Sequence, residues 1–157
     1  MYKALLTFFA LSVALGACKE KEDPQLKEAA AIHNEAHEIM ESIEPQVNSI
    51  DSVQTALLEK KKTAKDTAAY TTVLTALGKV KADFKEWEEN LVTVPGIEEH
   101  EHEEGEGHEH HHHHEHKKAP EVAPDQHLAI QKEIKKNIEL IQSELKAAKQ
   151  QAEALLK

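Results

Sequence analysis

Residues 130–155, IQKEIKKNIELIQSELKAAKQQAEAL, decide the fold class because their apolar side chains recur every three or four positions. This spacing places the apolar residues along one stripe of a helix, with the repeat of about 3.5 residues that is typical of a coiled-coil seam. Lys, Glu, Gln and Ala fill most positions between them, and all four favour helix. The predicted stripe consists of Ile130, Ile134, Ile138, Ile141, Leu145, Ala148, Ala152 and Leu155.

Two segments upstream carry the same pattern. We therefore predict three helices, the third opened by Pro124 and Asp125 and the second ended by Val94-Pro95-Gly96. Pro45 lies inside the first pattern and is expected to kink or split that helix near Glu44. The first stripe consists of Leu26, Ala29, His33, Ala36, Met40, Ile43, Val47, Ile50, Gln54 and Leu57. The second stripe consists of Tyr70, Val73, Leu77, Val80, Phe84, Trp87 and Leu91.

The connections between the helices set the expected topology. A short lysine-rich turn at residues 60–65 favours antiparallel packing of helices one and two. Helix three is then expected to run antiparallel to helix two and parallel to helix one. We predict an all-α fold: an elongated antiparallel three-helix bundle, coiled-coil-like, with a long disordered loop rich in His and Glu between helices two and three. Aromatic residues make up only 4% of the chain, which fits narrow helix–helix seams. The predicted segments are a signal peptide (1–17), a lipidated cysteine with a charged tether (18–24), helices one and two (25–94), the loop (95–123) and helix three (124–157).

The beginning of the chain predicts export and lipid attachment. Lys3 supplies a positive charge, and residues 4–14 form an apolar stretch too short to span a bilayer. Leu15-Gly16-Ala17-Cys18 then matches a lipobox, in which the cysteine after two small residues carries the lipid. Cys18 is the only cysteine of the chain, so no disulfide competes for it. We expect cleavage before Cys18 and acyl chains that hold the protein on a membrane.

Charge and composition narrow the expected location and partners. All 19 basic residues are lysine, and the formal net charge is −10. An acidic chain without arginine argues against nucleic acid as a partner. Lys19 follows the cysteine, in place of the aspartate that retains lipoproteins at the inner membrane of proteobacteria. We expect anchorage in the outer membrane of the cell envelope, and the sequence leaves its periplasmic face and the cell surface as alternatives.

Three stretches resemble a family of small Bacteroidetes lipoproteins that are often labelled "viral A-type inclusion protein". Residues 32–40, IHNEAHEIM, are similar to a first-helix motif of that family, Val-His-Asp-Glu-Val-Met-Pro-x-Met. Residues 76–91, which contain Phe84-Lys85-Glu86-Trp87, resemble its second helix, which is rich in Ala, Asp and Met and ends in a tryptophan. The spaced isoleucines of the third helix are similar as well. The resemblance implies a lipid-anchored helical bundle and no particular activity.

Residues 98–116, which we call the insertion, hold nine histidines and eight glutamates, with two glycines and no apolar residue. Neutral imidazole is a good ligand for Zn²⁺, Ni²⁺, Co²⁺ and Cu²⁺, and carboxylate suits Zn²⁺ as a further ligand. Several sets of four donors can close on one ion, which predicts more than one bound ion and modest selectivity, with Zn²⁺ first. The candidate ligands are His100, His102, His108, His110, His111, His112, His113, His114 and His116.

Two alternatives remain open for the insertion. A segment without apolar residues is also typical of a solvated, disordered loop that has no metal function. In that case the protein is a structural or interaction module whose apolar stripes pack a partner helix or a second copy of the chain. Histidine titrates at about pH 6.5 when unperturbed, so the insertion also fits a pH sensor.

Three histidines of the predicted helices form a second candidate metal site. His33 and His37 are four residues apart and therefore share one helix face, with Glu35 nearby. The order differs from that of a metalloprotease, because Asn34 follows the first histidine. His127 joins His33 only if the register of the bundle allows it. The alternative is that His33 is a polar residue of the seam and His37 is solvated.

The sequence contains no nucleophile motif, phosphate-binding loop or isolated pair of carboxylates, so we expect no enzyme. The function that it favours is a membrane-anchored lipoprotein of the cell envelope that binds or buffers a divalent transition metal, Zn²⁺ above all. The expected partners are the membrane, through the lipid on Cys18, the metal ions, and either a metal transporter or receptor or a second copy of the chain.

Overall fold

The computed structural model describes residues 23–96 and 117–157, and helices account for most of these residues. The four helices are α1 (Pro24–Asn48), α2 (Ile50–Lys61), α3 (Ala68–Asn90) and α4 (Pro124–Leu156). In these two ranges there is no strand, and the β-structure is limited to an isolated bridge between Val92 and Lys117. The predicted all-α class is confirmed.

The break between α1 and α2 lies at Ser49, later than expected. Pro45 lies inside α1, and the helix continues past it to Asn48. Proline cannot donate to the carbonyl of Glu41, but Glu41 and Pro45 are both exposed, so water can satisfy that carbonyl. At the break, the Ser49 hydroxyl donates to the Gln46 carbonyl at 2.7 Å. The helix is therefore not split near Glu44, and the two helices separate at Ser49 instead.

Contacts between α1 and α4 show that these two helices run in the same direction. Lys132 Nζ lies 3.0 Å from Glu28 Oε1 near the beginning of both helices. Further along both chains, Lys149 Nζ donates to Gln46 Oε1 at 3.0 Å. The partners thus rise together in residue number, which requires parallel helices.

Contacts between α3 and α4 show the opposite order. Trp87 Nε1 donates to the Ile134 carbonyl at 2.9 Å, whereas the Tyr70 hydroxyl donates to the Leu155 carbonyl at 3.3 Å. These two helices are therefore antiparallel. As a consequence, α1 begins, α3 ends and α4 begins at one end of the structure, which we call the insertion end.

The core is a continuous seam between the helices. Trp87 and Phe84 stack with their ring centroids 6.5 Å apart. Among the described residues, no helix is both long and apolar enough to cross a membrane. The buried apolar residues of the seam are Ala36, Met40, Ile43, Val47, Ile50, Leu57, Val73, Leu77, Val80, Phe84, Trp87, Leu91, Ile138, Ile141, Leu145, Ala148 and Ala152.

Gly78 offers a stabilising substitution, because it is an exposed residue in the middle of α3. A Cβ at this position meets its nearest neighbour, Gln54 Nε2, at 3.7 Å, which is an ordinary contact. Since alanine is about 1 kcal/mol better than glycine inside a helix, Gly78→Ala is expected to raise the free energy of unfolding by about that amount. Urea unfolding checks this, with Ala82→Gly at an exposed site of the same helix as the reverse control. An unchanged or lowered midpoint for Gly78→Ala contradicts it.

The beginning of α4 has half of a capping box. The Gln126 side chain accepts a hydrogen bond from the Ala123 N–H at 3.2 Å, but Ala123 has no side-chain oxygen to return one. A serine at this position can accept from the backbone of the first turn, so Ala123→Ser is expected to stabilise the protein by about 1 kcal/mol. Thermal unfolding checks the increase. Ala147→Ser, at an exposed site inside α4, is the control and is expected to be neutral or slightly destabilising.

Candidate metal centre at the insertion end

The nine histidines of the insertion lie outside the described residues, and so does Cys18. The residues on both sides of the insertion are described, as are the three histidines of the helices. These residues form the insertion end of the bundle.

Two short segments form a stem at the base of the insertion. The Lys117 N–H donates to the Leu91 carbonyl at 3.0 Å, and the Thr93 N–H donates to the Lys117 carbonyl at 3.0 Å. Lys117 Nζ also donates to Asn90 Oδ1 at 3.0 Å. The stem, residues 90–93 with Lys117, therefore joins the end of α3 to the residue that follows the insertion.

Gln131 connects this stem to α1 through buried hydrogen bonds. Its side chain is fully buried, and its Nε2 donates to the Val92 carbonyl at 2.9 Å. This bond fixes the orientation of the amide, so Oε1 is the atom that faces His33 Nδ1, at 3.2 Å. An amide oxygen accepts and cannot donate. His33 therefore carries a proton on Nδ1.

His37 has a comparable arrangement one turn further along α1. Its Nδ1 lies 3.2 Å from Oε1 of Glu41, and the histidine side chain is 23% exposed. A carboxylate only accepts hydrogen bonds when ionised, so His37 also carries a proton on Nδ1. Thus both histidines direct Nδ1 to an oxygen of the protein.

The other residues expected near these histidines have different surroundings. Glu35 pairs with Lys135 across the α1–α4 interface, and this hydrogen bond raises the pKa of the Lys135 ammonium above its ordinary value. His127 is buried, and its Nδ1 has no hydrogen-bond partner among the described residues. In residues 23–96 and 117–157, no group of three or more His, Cys, Asp or Glu side chains is placed to hold a metal ion. The expected set of His33, Glu35 and His127 is therefore not assembled by the described side chains.

Gln131 is the residue of this region that sequence reasoning missed. The apolar pattern of the third helix singled out Ile130 and Ile134, which are half-buried, whereas His127 and Gln131 are fully buried. The signal was available, because the alternation of three and four residues continues backward from Ile138 through Ile134 to Gln131 and His127. The polar side chains at both positions concealed it.

Comparisons with known proteins identified no relative. No family model, no curated protein and no solved structure matches the chain.

Proposed function

We propose that this chain is a non-catalytic lipoprotein of the cell envelope that binds or buffers Zn²⁺ through the histidines of the insertion. The observation that carries the proposal is the composition of residues 98–116, where nine imidazoles and eight carboxylates lie within 19 residues. Imidazole and carboxylate are both ligands of Zn²⁺, and Ni²⁺, Co²⁺ and Cu²⁺ are accepted by imidazole as well. The stem supports the proposal, because it holds Lys117, the residue that follows this donor-rich segment, against the residues that end α3.

The anchor in this proposal is Cys18, lipidated after cleavage of residues 1–17, and the membrane is the outer membrane. We also propose that the fold is an elongated, coiled-coil-like bundle, and that the insertion lies at the end of the bundle from which the lipid tether leaves. The start of α1 and the stem lie at that same end, which supports this arrangement. Metal ions would then be bound close to the bilayer, where a transporter or receptor can accept them.

The decisive experiment is a Zn²⁺ titration of residues 19–157, which include every described helix. The wild-type segment is compared with a variant in which residues 98–116 are replaced by a Gly/Ser segment of equal length. A third variant keeps the eight glutamates and changes only the nine histidines to asparagine. We expect more than one Zn²⁺ per wild-type chain and a loss of most of this capacity in both variants. If all three chains bind equally weakly, the proposed function is wrong.

Lipid attachment is tested separately in cells. Labelled palmitate should be incorporated into the wild-type chain, and the labelled chain should sediment with the outer-membrane fraction. The Cys18→Ala variant should incorporate no label. Equal labelling of the two chains would contradict the anchor while leaving metal binding to be judged by the titration.

A further inference from the structure

We propose that the end of the bundle opposite the insertion docks on an anionic phospholipid surface through unpaired lysines and an exposed leucine. This distal end consists of the end of α2, the start of α3 and the end of α4. Lys61 Nζ donates to Thr71 Oγ1 at 2.8 Å, and the Tyr70 hydroxyl donates to the Leu155 carbonyl, so the three helix ends lie together. The inference goes beyond the proposed function, because it involves neither the insertion nor the lipid on Cys18.

Charge is distributed unevenly along the bundle. In the distal part, residues 55–75 and 146–157, seven lysines stand against three acidic side chains. In the part toward the insertion, residues 23–45, 83–96 and 117–139, seven lysines stand against fourteen acidic side chains. The described helices therefore have a basic end and an acidic end, although the chain as a whole has a formal net charge of −10.

The lysines of the distal part also differ from the others in their pairing. Of these seven, only Lys62 forms an ion pair within the described residues, with Glu59 at 2.6 Å. Lys60, Lys65 and Lys157 are exposed and have no carboxylate partner among the described residues. The positive charge of the distal end is therefore available to an anion from outside. In the rest of the described chain, six of nine lysines pair with a carboxylate, namely Lys79, Lys81, Lys85, Lys132, Lys135 and Lys136.

The length of the bundle decides which charges a surface at the distal end responds to. The 33 residues of α4 span about 50 Å, at about 1.5 Å per residue. Interactions between exposed charges are screened over about 10 Å at 0.1 M salt. A surface that touches the distal end is therefore attracted by the lysines there, and the acidic end lies several screening lengths away. The negative net charge of the chain does not prevent this docking.

Leu58 favours a phospholipid surface over a soluble polyanion. Its side chain is 49% exposed, and it lies on α2 one turn before Lys61 and Lys62, on the same helix face. An apolar side chain among lysines can enter the boundary between headgroups and acyl chains, while the ammonium groups remain with the phosphates. A hydrated polymer offers no such apolar layer. Lysine also presents a single point charge without the fixed fork of arginine, which suits a fluid surface.

A purely structural role for the lysines makes a different prediction. Lys60 and Lys61 lie in the last turn of α2, where a positive charge stabilises the helix by interacting with its dipole. That role needs neither Lys65 nor Lys157, which lie outside α2, and it gains nothing from an exposed Leu58. Lysines that serve only the helix would leave the chain unbound to vesicles.

The experiment uses the full mature chain with Cys18→Ser, so that no acyl chain inserts by itself. A chelator removes metal ions, and the pH is kept well above about 6.5, where unperturbed histidine titrates, so that the insertion does not become positive. We expect the chain to sediment at low salt with vesicles of equal parts phosphatidylglycerol and phosphatidylcholine. It should not sediment with phosphatidylcholine alone, and high salt should release it, because the attraction is screened.

Two sets of three substitutions separate the local lysines from the overall charge. The triple variant Lys60→Gln, Lys65→Gln, Lys157→Gln is expected to weaken binding to the anionic vesicles about 100-fold, since each lysine near such a surface contributes about fivefold.

The control is Lys27→Gln, Lys85→Gln, Lys118→Gln, which removes the same number of exposed charges from the acidic part of the bundle. It should leave the binding to the anionic vesicles unchanged.

Leu58→Gln tests the apolar contribution. It is expected to weaken binding to the anionic vesicles about fivefold, the effect of burying roughly half of a leucine side chain. Leu140→Gln, which removes a leucine that is 56% exposed in the middle of α4, is the control and should have no effect. Long-chain polyphosphate serves as the soluble probe, and its binding should be the same for Leu58→Gln and its parent. Circular dichroism verifies that each variant keeps its helices.

The inference is overturned if the chain does not sediment with the anionic vesicles at low salt, or if it binds phosphatidylcholine alone equally well. Equal losses in the two triple variants would show that overall charge and not the distal end is responsible. Binding of polyphosphate without binding of vesicles would make the partner a soluble polyanion, and the lipid surface would be wrong. None of these results bears on the Zn²⁺ titration, because metal and acyl chains are absent from the experiment.

Discussion

Replacement of Trp87 by alanine is expected to lower the free energy of unfolding by about 3–5 kcal/mol, the usual cost of truncating a large buried aromatic side chain. Trp87 is 6% exposed and stacks on Phe84. Its Nε1–H also donates to the Ile134 carbonyl at 2.9 Å. Truncation therefore removes a large apolar contact between α3 and α4 together with a hydrogen bond that crosses the same interface. Since domains of this size are stable by only about 5–15 kcal/mol, the loss is a large share of the total.

Urea unfolding followed by circular dichroism measures this effect. Trp87→Phe is the matched control, because it keeps most of the apolar contact and removes the indole N–H. The Ile134 carbonyl can still accept the backbone N–H of its own helix, so this control should lose only about 1 kcal/mol for the hydrogen bond. If Trp87→Ala loses no more than Trp87→Phe, the side chain is not the packing element that the structure describes.

Gln131→Leu is the second substitution with a large expected effect. The leucine is similar in volume but leaves the His33 Nδ1–H and the Val92 carbonyl without their partner. Each buried polar group that loses its partner costs roughly 1–3 kcal/mol. We therefore expect a clear fall in the urea midpoint, although an apolar residue replaces a polar one in the core.

Hydrogen exchange locates the damage caused by Gln131→Leu. The amides of Thr93 and Lys117 should exchange faster, because the stem loses the bond that ties Val92 to α4. Gln142→Leu, at an exposed site of the same helix, is the control and should change neither stability nor exchange at the stem. Unchanged protection of Thr93 and Lys117 in Gln131→Leu would show that the stem is held independently of Gln131.

The three helices of the sequence prediction follow from spacing, because a helix buries one stripe whatever packs against it. The first and second stripes show this well. Their members from Ala29 to Leu57 and from Val73 to Leu91 are buried, with Gln54 the half-buried exception. Gln54 Nε2 donates to the Leu74 carbonyl at 3.2 Å, which accounts for a polar residue on the stripe.

The beginning of α4 was harder to predict, because its buried positions are polar. Apolar content favoured Ile130, but the alternation of spacings runs from Ile138 through Ile134 to Gln131 and His127, and these last two are fully buried whereas Ile130 is half-buried. Hydropathy and periodicity disagree over this one turn. Periodicity prevails there because the helix has to present the same side to its neighbours along its whole length.

The candidate site could be predicted only as far as local spacing reaches. His37 and Glu41 are one turn apart, as are His33 and His37, so these relations are visible in the sequence. Gln131 is 98 residues from His33 and meets it only through the register of α1 against α4. Glu35 was expected to join the histidines, but the same register places it against Lys135. Pairings across the bundle depend on relative shifts of the helices that no local pattern contains.

The stem has a consequence for how such a protein can change over generations. Because Val92 and Lys117 are joined beside the bundle, the number of residues between them is not dictated by the packing of the helices. For a flexible loop, each doubling of length costs only about 0.6 kcal/mol in closure entropy. Tandem duplication or deletion of His-Glu units between the two halves of the stem would therefore leave the core intact. The number of imidazoles could expand or contract by simple copying errors, with the stability of the scaffold almost unaffected.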